Sequence, residues 1–274
     1  MAATAPYLVR LHFKEGAVRS DDYPFNLPVI RALDIEFASP VTFFVGENGT
    51  GKSTVIEAIA AVCRLPVSGG GRNELSGNHG PDRSSPLAAA LRPSFRQRPP
   101  DAYFLRAEFQ AHFASLLDER QADPDFWGDP YARYGGRSLH TRSHGEAFLA
   151  ILQNRIRSGL LLFDEPESAL SPQRQLALLA QMATLVAAGK SQFIIATHSP
   201  ILLTFPGAQI LAFDGDTIRP VSLEETTHFQ ITKGILHNPG VYWKHLQAGA
   251  DADDPPPDKD ERKPKARTTA RRRS

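Results

Sequence analysis

The chain of 274 residues carries 31 basic against 30 acidic side chains, so no global electric field favours nucleic acid or membrane as a partner. Its single cysteine, Cys63, excludes an internal disulfide, and no apolar run reaches the ~20 residues that a membrane helix needs. With no charged-then-apolar signal region at residues 1–16, we expect a cytoplasmic protein with room for one large domain and an appendage.

Three strands and one helix are predicted near the start of the chain. Residues 7–13 and 30–37 are apolar runs on either side of a connection that contains prolines. Residues 41–45 combine β-branched and aromatic side chains, which is typical of a buried strand. Apolar residues then recur at helical spacing over residues 53–64, which predicts an amphipathic helix.

A phosphate-binding loop of the form G-x-x-x-x-G-K-[ST] lies between the third strand and this helix. Gly46, Gly49 and Gly51 let the backbone turn tightly, so that its N–H groups can point at phosphate oxygens. Lys52 supplies a positive charge for the β- and γ-phosphates, and the Ser53 hydroxyl is placed to ligate Mg²⁺. The N-terminus of the helix attracts anions as well. The sequence therefore predicts a site for a nucleoside triphosphate.

The rest of the chain alternates loops, helices and short strands. Residues 66–101 are rich in Gly, Ser, Pro and Arg, which favours a mobile surface loop. Asp214-Gly215, between two apolar runs, predicts a hairpin turn. The other predicted elements are a strand and helix over 103–119, a loop over 128–143, helices over 146–157, 172–188 and 229–246, and strands over 160–163, 193–196, 210–213 and 217–221.

Two of the predicted strands end in polar residues that suit phosphoryl transfer. The strand at 160–163 is followed by Asp164 and Glu165. In a phosphate-loop ATPase the first acid helps to fix the metal, and the second can orient and deprotonate the attacking water. The strand at 193–196 is followed after one residue by His198, whose imidazole can hydrogen-bond both a phosphate oxygen and a backbone carbonyl. These three residues are candidates for the chemistry.

The C-terminal residues differ in composition from the rest. Residues 251–261 carry six acids and three prolines, and residues 262–274 carry seven basic residues and no acid. Such a segment cannot bury enough apolar surface to fold by itself. We therefore expect a folded domain over residues 1–250 and a disordered charged tail over 251–274.

The motifs GENGTGKST, SHGE, LLLFDEPESALSP and ATHSP, in this order, resemble the ABC-type ATPase family. More closely, the chain is similar to the soluble branch shared with SMC-like and recombination-repair ATPases, labelled AAA-family ATPases, over residues 7–247. The resemblance implies an α/β phosphate-loop NTPase fold with a mainly parallel sheet flanked by helices, an antiparallel N-terminal subdomain and a small helical lid over residues 66–143. It also implies ATP and Mg²⁺ as ligands, with Lys52, Glu165 and His198 as catalytic residues.

The resemblance further implies a homodimer that encloses two nucleotides. Ser143-His144-Gly145-Glu146 matches the signature motif, whose Ser and Gly contact the γ-phosphate held by a second subunit. Taken alone, the same four residues also fit a helix cap. The implied ATP-binding residues are Gly46, Glu47, Asn48, Gly49, Thr50, Gly51, Lys52, Ser53, Thr54, Ser143 and Gly145.

Some assignments stay open. Residues 168–172 read Ser-Ala-Leu-Ser-Pro where many transporters have Ala-Leu-Asp, so communication between subunits would differ. Gln110 is the candidate for the glutamine loop, with Glu108 as an equal alternative. The implied metal set is Ser53, Asp164 and Gln110. The aromatic residue that stacks on adenine is Phe13, Tyr23 or Phe25.

We expect an ATPase whose cycle drives a conformational switch on an unidentified protein or nucleic-acid partner. One alternative is the nucleotide-binding subunit of an ABC transporter, with membrane segments supplied by a partner. Another is a switch that binds ATP without turnover. A nuclease of the overcoming-lysogenization-defect type would need a metal module after Asp214-Gly215-Asp216, but too few residues follow for another α/β layer. No long heptad pattern lies between residues 53 and 143, so coiled-coil arms are not expected.

Overall fold

The computed structural model describes residues 4–17, 20–67, 69–71, 85–106, 110–156 and 158–247. The predicted charged tail lies outside the described residues. The chain divides after Thr226 into two compact units. The second unit therefore begins before residue 250, where the sequence placed the domain boundary.

Two sheets and eight α-helices are present among the described residues. The strands are β1 Leu8–Phe13, β2 Asp34–Glu36, β3 Val41–Val45, β4 Gly70–Gly71, β5 Leu91–Phe95, β6 Ala102–Arg106, β7 Gly159–Asp164, β8 Ser191–Ala196, β9 Gln209–Asp214 and β10 Thr217–Val221. The helices are α1 Pro28–Arg31, α2 Lys52–Val62, α3 Pro86–Ala90, α4 Gln110–Ala122, α5 His144–Asn154, α6 Pro172–Ala187, α7 Thr227–His237 and α8 Pro239–Gln247.

The main sheet has seven strands in the order β10-β9-β3-β8-β7-β6-β4. Neighbouring strands from β9 to β6 run parallel, and only the two edge pairs are antiparallel. Alternate side chains along β7 and β8 enter two separate hydrophobic clusters, one on each face of the sheet. Burial on both faces explains why these strands are continuous apolar runs.

Each face of the main sheet is covered by a different layer. On one face, α2 packs with the three-stranded antiparallel sheet β2-β1-β5. On the other face, α4, α5 and α6 contribute the apolar side chains. The predicted fold class, a mainly parallel sheet flanked by helices with an antiparallel N-terminal sheet, is confirmed.

The strand predicted over residues 30–37 is wrong at its start. Pro28 occupies the first turn of α1, where its fixed φ and missing N–H favour a helix, and Val29 and Ile30 are buried there. The chain becomes extended only at β2, which covers Asp34–Glu36. The apolar run therefore marks a buried helical turn followed by a short strand.

The surface loop predicted over residues 66–101 is also wrong in part, because β4, α3 and β5 lie within it. Pro93 of β5 stands opposite Leu11 of β1. A proline argues against a strand, but β5 is an edge strand, where a missing N–H need not remove a ladder bond. Since β6 belongs to the main sheet, a lid within residues 66–143 is limited to the part that follows β6.

The second unit is a pair of helices among the described residues. Gly234 of α7 lies so close to Tyr242 of α8 that an added Cβ would be 2.4 Å from the tyrosine hydroxyl. Within the described part of the chain, no helix combines the length and the hydropathy needed to cross a bilayer.

Two glutamine side chains join the antiparallel sheet to the main sheet. Gln192 of β8 accepts from the backbone N–H groups of Tyr7 and Leu8 and donates to the Leu8 carbonyl, and all three bonds are buried. Gln209 of β9 accepts from the Ala38 N–H and donates to the Glu36 carbonyl in two solvent-exposed bonds, and it also accepts from the Thr42 hydroxyl at 3.3 Å in a part-buried one. Each glutamine thus replaces a missing strand neighbour.

We predict that Gln192→Leu lowers the free energy of unfolding by about 3 kcal/mol, because three buried backbone groups lose their partner. Gln209→Leu is the matched control and should cost about 1 kcal/mol, since water can replace its two exposed backbone bonds and only the 3.3 Å bond from Thr42 is part-buried. Urea unfolding of both variants measures the difference. Equal losses would show that burial of the bonds does not matter.

Candidate nucleotide site

The central strands bring three segments to one edge of the main sheet. β8 lies between β3 and β7, and all three strands are parallel. Ala196 of β8 is level with Phe44 of β3 and with Asp164 of β7. The phosphate loop, the paired acids and the segment with His198 therefore emerge side by side at the carboxyl ends of the strands, where ligands bind in sheets of this kind.

The phosphate loop has the backbone shape that its glycines predict. Gly46, Gly49 and Gly51 have φ values of 144°, 82° and 96°. At Gly46 an added Cβ would lie 2.4 Å from the carbonyl oxygen of Phe213. Gly51 is the N-cap of α2, so the loop runs directly into a helix N-terminus. This combination allows backbone N–H groups to surround an anion.

Lys52 is buried beneath this loop, with 4% of its surface exposed. Its ammonium group donates to the carbonyl oxygens of Gly46 and Glu47, at 2.7 and 2.8 Å. Burial lowers the pKa of Lys52, and the carboxylates of Glu165 and Asp164 oppose this change. The other predicted loop residues are nearer the solvent: Glu47 and Asn48 are exposed, and Thr50, Ser53 and Thr54 are partly exposed.

Ser53 and Asp164, which are 111 positions apart in the chain, are in direct contact. The Ser53 hydroxyl donates to a carboxylate oxygen of Asp164 at 2.9 Å. The side chain of Asp164 is only 5% exposed, and burial raises its pKa to about 6, against the opposing effects of Arg106 and Ser53. Two oxygen ligands at this separation fit a shared Mg²⁺ ion, which coordinates oxygen atoms.

Arg106 is a member of this cluster that the sequence analysis missed. Its guanidinium is 2.6 Å from Glu57 of α2 and 3.4 Å from Asp164, and its side chain is 15% exposed. Arg106 ends β6, one strand further along the sheet, and stands level with Asp164. The sequence did carry a signal for Arg106. The apolar run that begins at residue 103 ends at this charged residue, just as the run at 160–163 ends at Asp164 and Glu165.

Glu165 is held in an unusual backbone conformation beside His198. Its φ of 48° places a non-glycine residue in the left-handed region, a conformation that is often found at functional sites. The Glu165 N–H donates to the carbonyl of Ala196 at 3.0 Å, so β8 fixes its position. Its carboxylate lies 3.7 Å from Nε2 of His198. The candidate base and the candidate phosphate sensor are therefore neighbours.

Ser143 is the N-cap of α5 and forms a capping box with Glu146. Its hydroxyl accepts from the Glu146 N–H at 3.4 Å and from Arg174 at 2.9 Å. Gly145 is buried, and an added Cβ would lie 2.6 Å from the Arg174 guanidinium and 2.8 Å from the carbonyl oxygen of Ala169. The cap that the residues suggested is present, and a role towards a second subunit remains a proposal.

The three aromatic candidates for adenine stacking differ in exposure. Phe25 is 7% exposed, and Phe13 packs against the core with its ring 6.4 Å from that of Phe25. Tyr23 is 65% exposed, and its hydroxyl is 2.8 Å from the hydroxyl of Thr54 at the start of α2. Of the three, Tyr23 presents a ring to solvent beside the phosphate loop.

The glutamine-loop assignment stays a prediction, and the hairpin predicted around Asp214-Gly215 is present. Gln110 begins α4, but its side chain and Glu108 lie outside what the structure describes. Asp214 and Asp216 flank the exposed turn of the β9–β10 hairpin. The sequence analysis favoured this turn over a nuclease centre. Among the described residues, no group of three His, Cys, Asp or Glu side chains could hold a metal.

Two family models match the segments that build this site. A model described as "AAA domain" matches residues 25–86, which include the phosphate loop. A second, described as "AAA domain, putative AbiEii toxin, Type IV TA system", matches residues 146–204, which include the paired acids and His198. No curated protein matches the chain significantly.

Solved structures with a similar arrangement are ATP-binding cassettes and an SMC head. The ADP conformation of an ATP-binding cassette of an ABC transporter is 14% identical, with 88% of this chain and 99% of that chain covered and a TM-score of 0.45. The cbiO1 protein from Clostridium perfringens, part of the ABC transporter complex cbiONQ, is 16% identical, with 79% and 90% covered and a TM-score of 0.42. The SMC head domain from Thermotoga maritima is 15% identical, with 79% and 98% covered and a TM-score of 0.41.

At these identities the functions of the three proteins are not carried over to the chain. The family models are the stronger finding, because they match the sequence around the phosphate loop and around the paired acids separately. Both segments that build the site match AAA-domain models, which confirms the resemblance to AAA-type ATPases that the motifs indicated.

Proposed function

We propose that the chain binds ATP with Mg²⁺ and hydrolyses it as an ATPase of the ABC type, and that two copies enclose the nucleotides between them. Its cycle would drive a conformational switch on a protein or nucleic-acid partner. The observation that carries this proposal is the 2.9 Å contact between Ser53 and Asp164. It joins the end of the phosphate loop to the paired acids, as one metal–phosphate site requires.

Each side chain of the site has a distinct role in this proposal. Lys52 would turn from the loop carbonyls to the β- and γ-phosphates, since it is held by two hydrogen bonds that a phosphate can replace. Glu165 would orient and deprotonate the attacking water. His198, 3.7 Å from Glu165, would hold the γ-phosphate in line. Phosphoryl transfer asks mainly for positioning and charge neutralisation, which these residues supply.

Ser53 and Asp164 would hold Mg²⁺, which supplies charge neutralisation at the β- and γ-phosphates when bound. Tyr23 would stack on adenine, because its ring is exposed and its hydroxyl is hydrogen-bonded to Thr54 beside the loop.

Ser143 and the first turn of α5 would contact the γ-phosphate held by a second copy. The contact with Arg174 supports this role. Arg174 donates to the Ser143 hydroxyl oxygen, so the hydroxyl hydrogen of Ser143 can be donated to a phosphate oxygen.

Lys52→Ala and Glu165→Gln should separate binding from turnover. We expect Lys52→Ala to weaken ATP binding by at least about 100-fold, because a buried positive charge at the phosphates is lost. Glu165→Gln should bind ATP as the unchanged protein does and lose turnover, because the cradle stays intact while the base is removed. Equilibrium binding of a fluorescent ATP analogue and phosphate release measure both effects. Turnover by Glu165→Gln at the unchanged rate would rule out Glu165 as the base.

Asp164→Asn should stabilise the fold and abolish Mg²⁺-supported ATP binding. The pKa of Asp164 is raised to about 6, so its ionisation at neutral pH opposes folding, and the neutral amide avoids this cost. We expect a gain of at least about 1 kcal/mol at pH 7.5, since the raised pKa already includes the attraction to Arg106. The gain should shrink as the pH falls from about 6 towards the ordinary pKa of Asp, because the carboxyl becomes protonated in the folded protein. Urea unfolding at several pH values decides it, and a less stable variant at pH 7.5 would contradict the prediction.

Glu165→Gln protein should form a two-fold symmetric dimer when ATP and Mg²⁺ are added. Adding Ser143→Arg should block the dimer, because it places bulk and charge where the second nucleotide would meet α5. Ala183→Arg adds the same side chain at an exposed position in the C-terminal half of α6, outside the motifs that build the site, and it serves as the control. Light scattering at tens of micromolar protein reports the mass. A protein that stays monomeric would favour the transporter-subunit or non-hydrolysing alternatives.

A further inference from the structure

Glu167 is a carboxylate close to the catalytic candidates that the proposed mechanism does not use. It lies in the 3-10 turn Pro166–Ala169, directly after Glu165. One of its carboxylate oxygens accepts from the backbone N–H of His198, and the other accepts from the hydroxyl of Thr197 at 2.8 Å. Burial raises the pKa of Glu167, and these two hydrogen bonds oppose the rise. Both oxygens are therefore engaged by the segment that carries His198.

The turn that carries Glu167 is itself firmly fixed. Pro166 is buried at its first position, which restricts the backbone there. The hydroxyl of Ser168 donates to the Glu165 carbonyl at 2.8 Å, and the Ser168 N–H donates to the same oxygen at 3.1 Å. A carboxylate on such a turn can act as a rigid support for the segment opposite.

A second contact holds the same two segments together on the far side of His198. Ser199 donates to Gln175 at the start of α6, and Gln175 donates to the carbonyl of Leu170 at 3.0 Å. Ser199 and Gln175 are both buried, at 6% and 7% exposed. The backbone on both sides of His198 is thus anchored to the segment that follows the paired acids.

We propose that Glu167 is a positioning residue, which holds the backbone of His198 so that its imidazole meets the γ-phosphate beside Glu165. The inference rests on the proposed ATPase function and adds a residue to it. Glu165 is bound to the backbone of β8 through Ala196, and Glu167 binds the residues that follow β8. The two acids of one turn therefore set the distance between the base and the imidazole from both sides.

The size of the expected effect follows from the geometry. A misplacement of about 1 Å at a reacting group can cost about 100-fold in rate. His198 follows β8, which ends at Ala196, so its backbone N–H is held by the Glu167 carboxylate and not by the sheet. Loss of the Glu167 carboxylate should therefore act on turnover much more than on ATP affinity.

The test compares Glu167→Met with Glu167→Gln in the full chain. The Met side chain has a similar length and no oxygen acceptor, whereas Gln keeps one acceptor oxygen. We expect kcat for ATP to fall by about 100-fold in Glu167→Met and by less in Glu167→Gln, with KM for ATP within about twofold. Glu225→Met is the matched control, because the exposed Glu225 also accepts from a backbone N–H, that of Ser222, and should leave kcat unchanged.

A double variant shows whether Glu167 acts through His198. In a His198→Ala background, Glu167→Met should lower kcat no further than about twofold, because the group that it positions is already gone. Multiplied losses in the double variant, or unchanged kcat in both single Glu167 variants, would overturn the proposal. Should Glu167→Met fail to fold, Glu167→Gln carries the same comparison.

Amide hydrogen exchange separates this proposal from the ATPase itself. We expect the His198 N–H to exchange about tenfold faster in Glu167→Met, with the amides of Phe193 and Ile194 in β8 unchanged. If the unchanged protein does not hydrolyse ATP but the His198 N–H still exchanges faster in Glu167→Met, the proposed function is refuted. The contact between Glu167 and the His198 N–H is then still supported. Unchanged exchange at His198 would refute the positioning role, whether or not the protein hydrolyses ATP.

Discussion

The site depends on one constraint, which is that β3, β8 and β7 are adjacent, parallel and level at their carboxyl ends. Phe44, Ala196 and Asp164 share one level of the sheet. The residues that follow each strand must therefore meet, although Ser53 of the phosphate-loop segment and Asp164 are 111 positions apart in the chain. A shift of one residue in the register of β7 would turn Asp164 to the other face and remove the contact with Ser53. The in-register sheet is what makes three separate motifs into one site.

The same arrangement concentrates charge where burial makes charge expensive. Lys52 and Asp164 are nearly buried, and burial shifts the pKa of each towards its neutral form. Arg106 and Glu57 add an ion pair at the edge of the cluster. A fold selected for stability alone would place apolar residues at these positions. The cost makes sense if a triphosphate and a divalent cation complete the charge balance, since each brings the opposite charge to a group already in place.

Local features of the sequence predicted most of the parallel sheet and the members of the site. The phosphate loop, the paired acids and His198 each follow an apolar strand, and the register then brings them together. Features that depend on distant partners were not predictable. Strand β5 was not predicted because it contains Pro93. Proline is tolerated there only because β5 lies at a sheet edge, and that place is set by pairing with β1. Residues 30 and 31 were assigned to a strand because the apolar run alone does not show that Pro28 begins a helix. Gln192 and Glu167 act through contacts that no spacing in the sequence reveals.

The segment from Glu165 to Gln175 connects the paired acids with the His198 segment and with the start of α5. At its start it contacts β8, at Glu167 it holds the His198 backbone, and at Gln175 it holds Ser199. On its other side, the Ala169 carbonyl and the Arg174 guanidinium lie against Gly145 and Ser143 at the start of α5. This is the segment in which the sequence departs from the transporter pattern. Because the segment is short and hydrogen-bonded at several points, we expect a displacement of Arg174 against α5 to move the residues that hold His198. A contact made by a second copy at α5 would thus reach the chain's own catalytic candidates through a path of only a few residues.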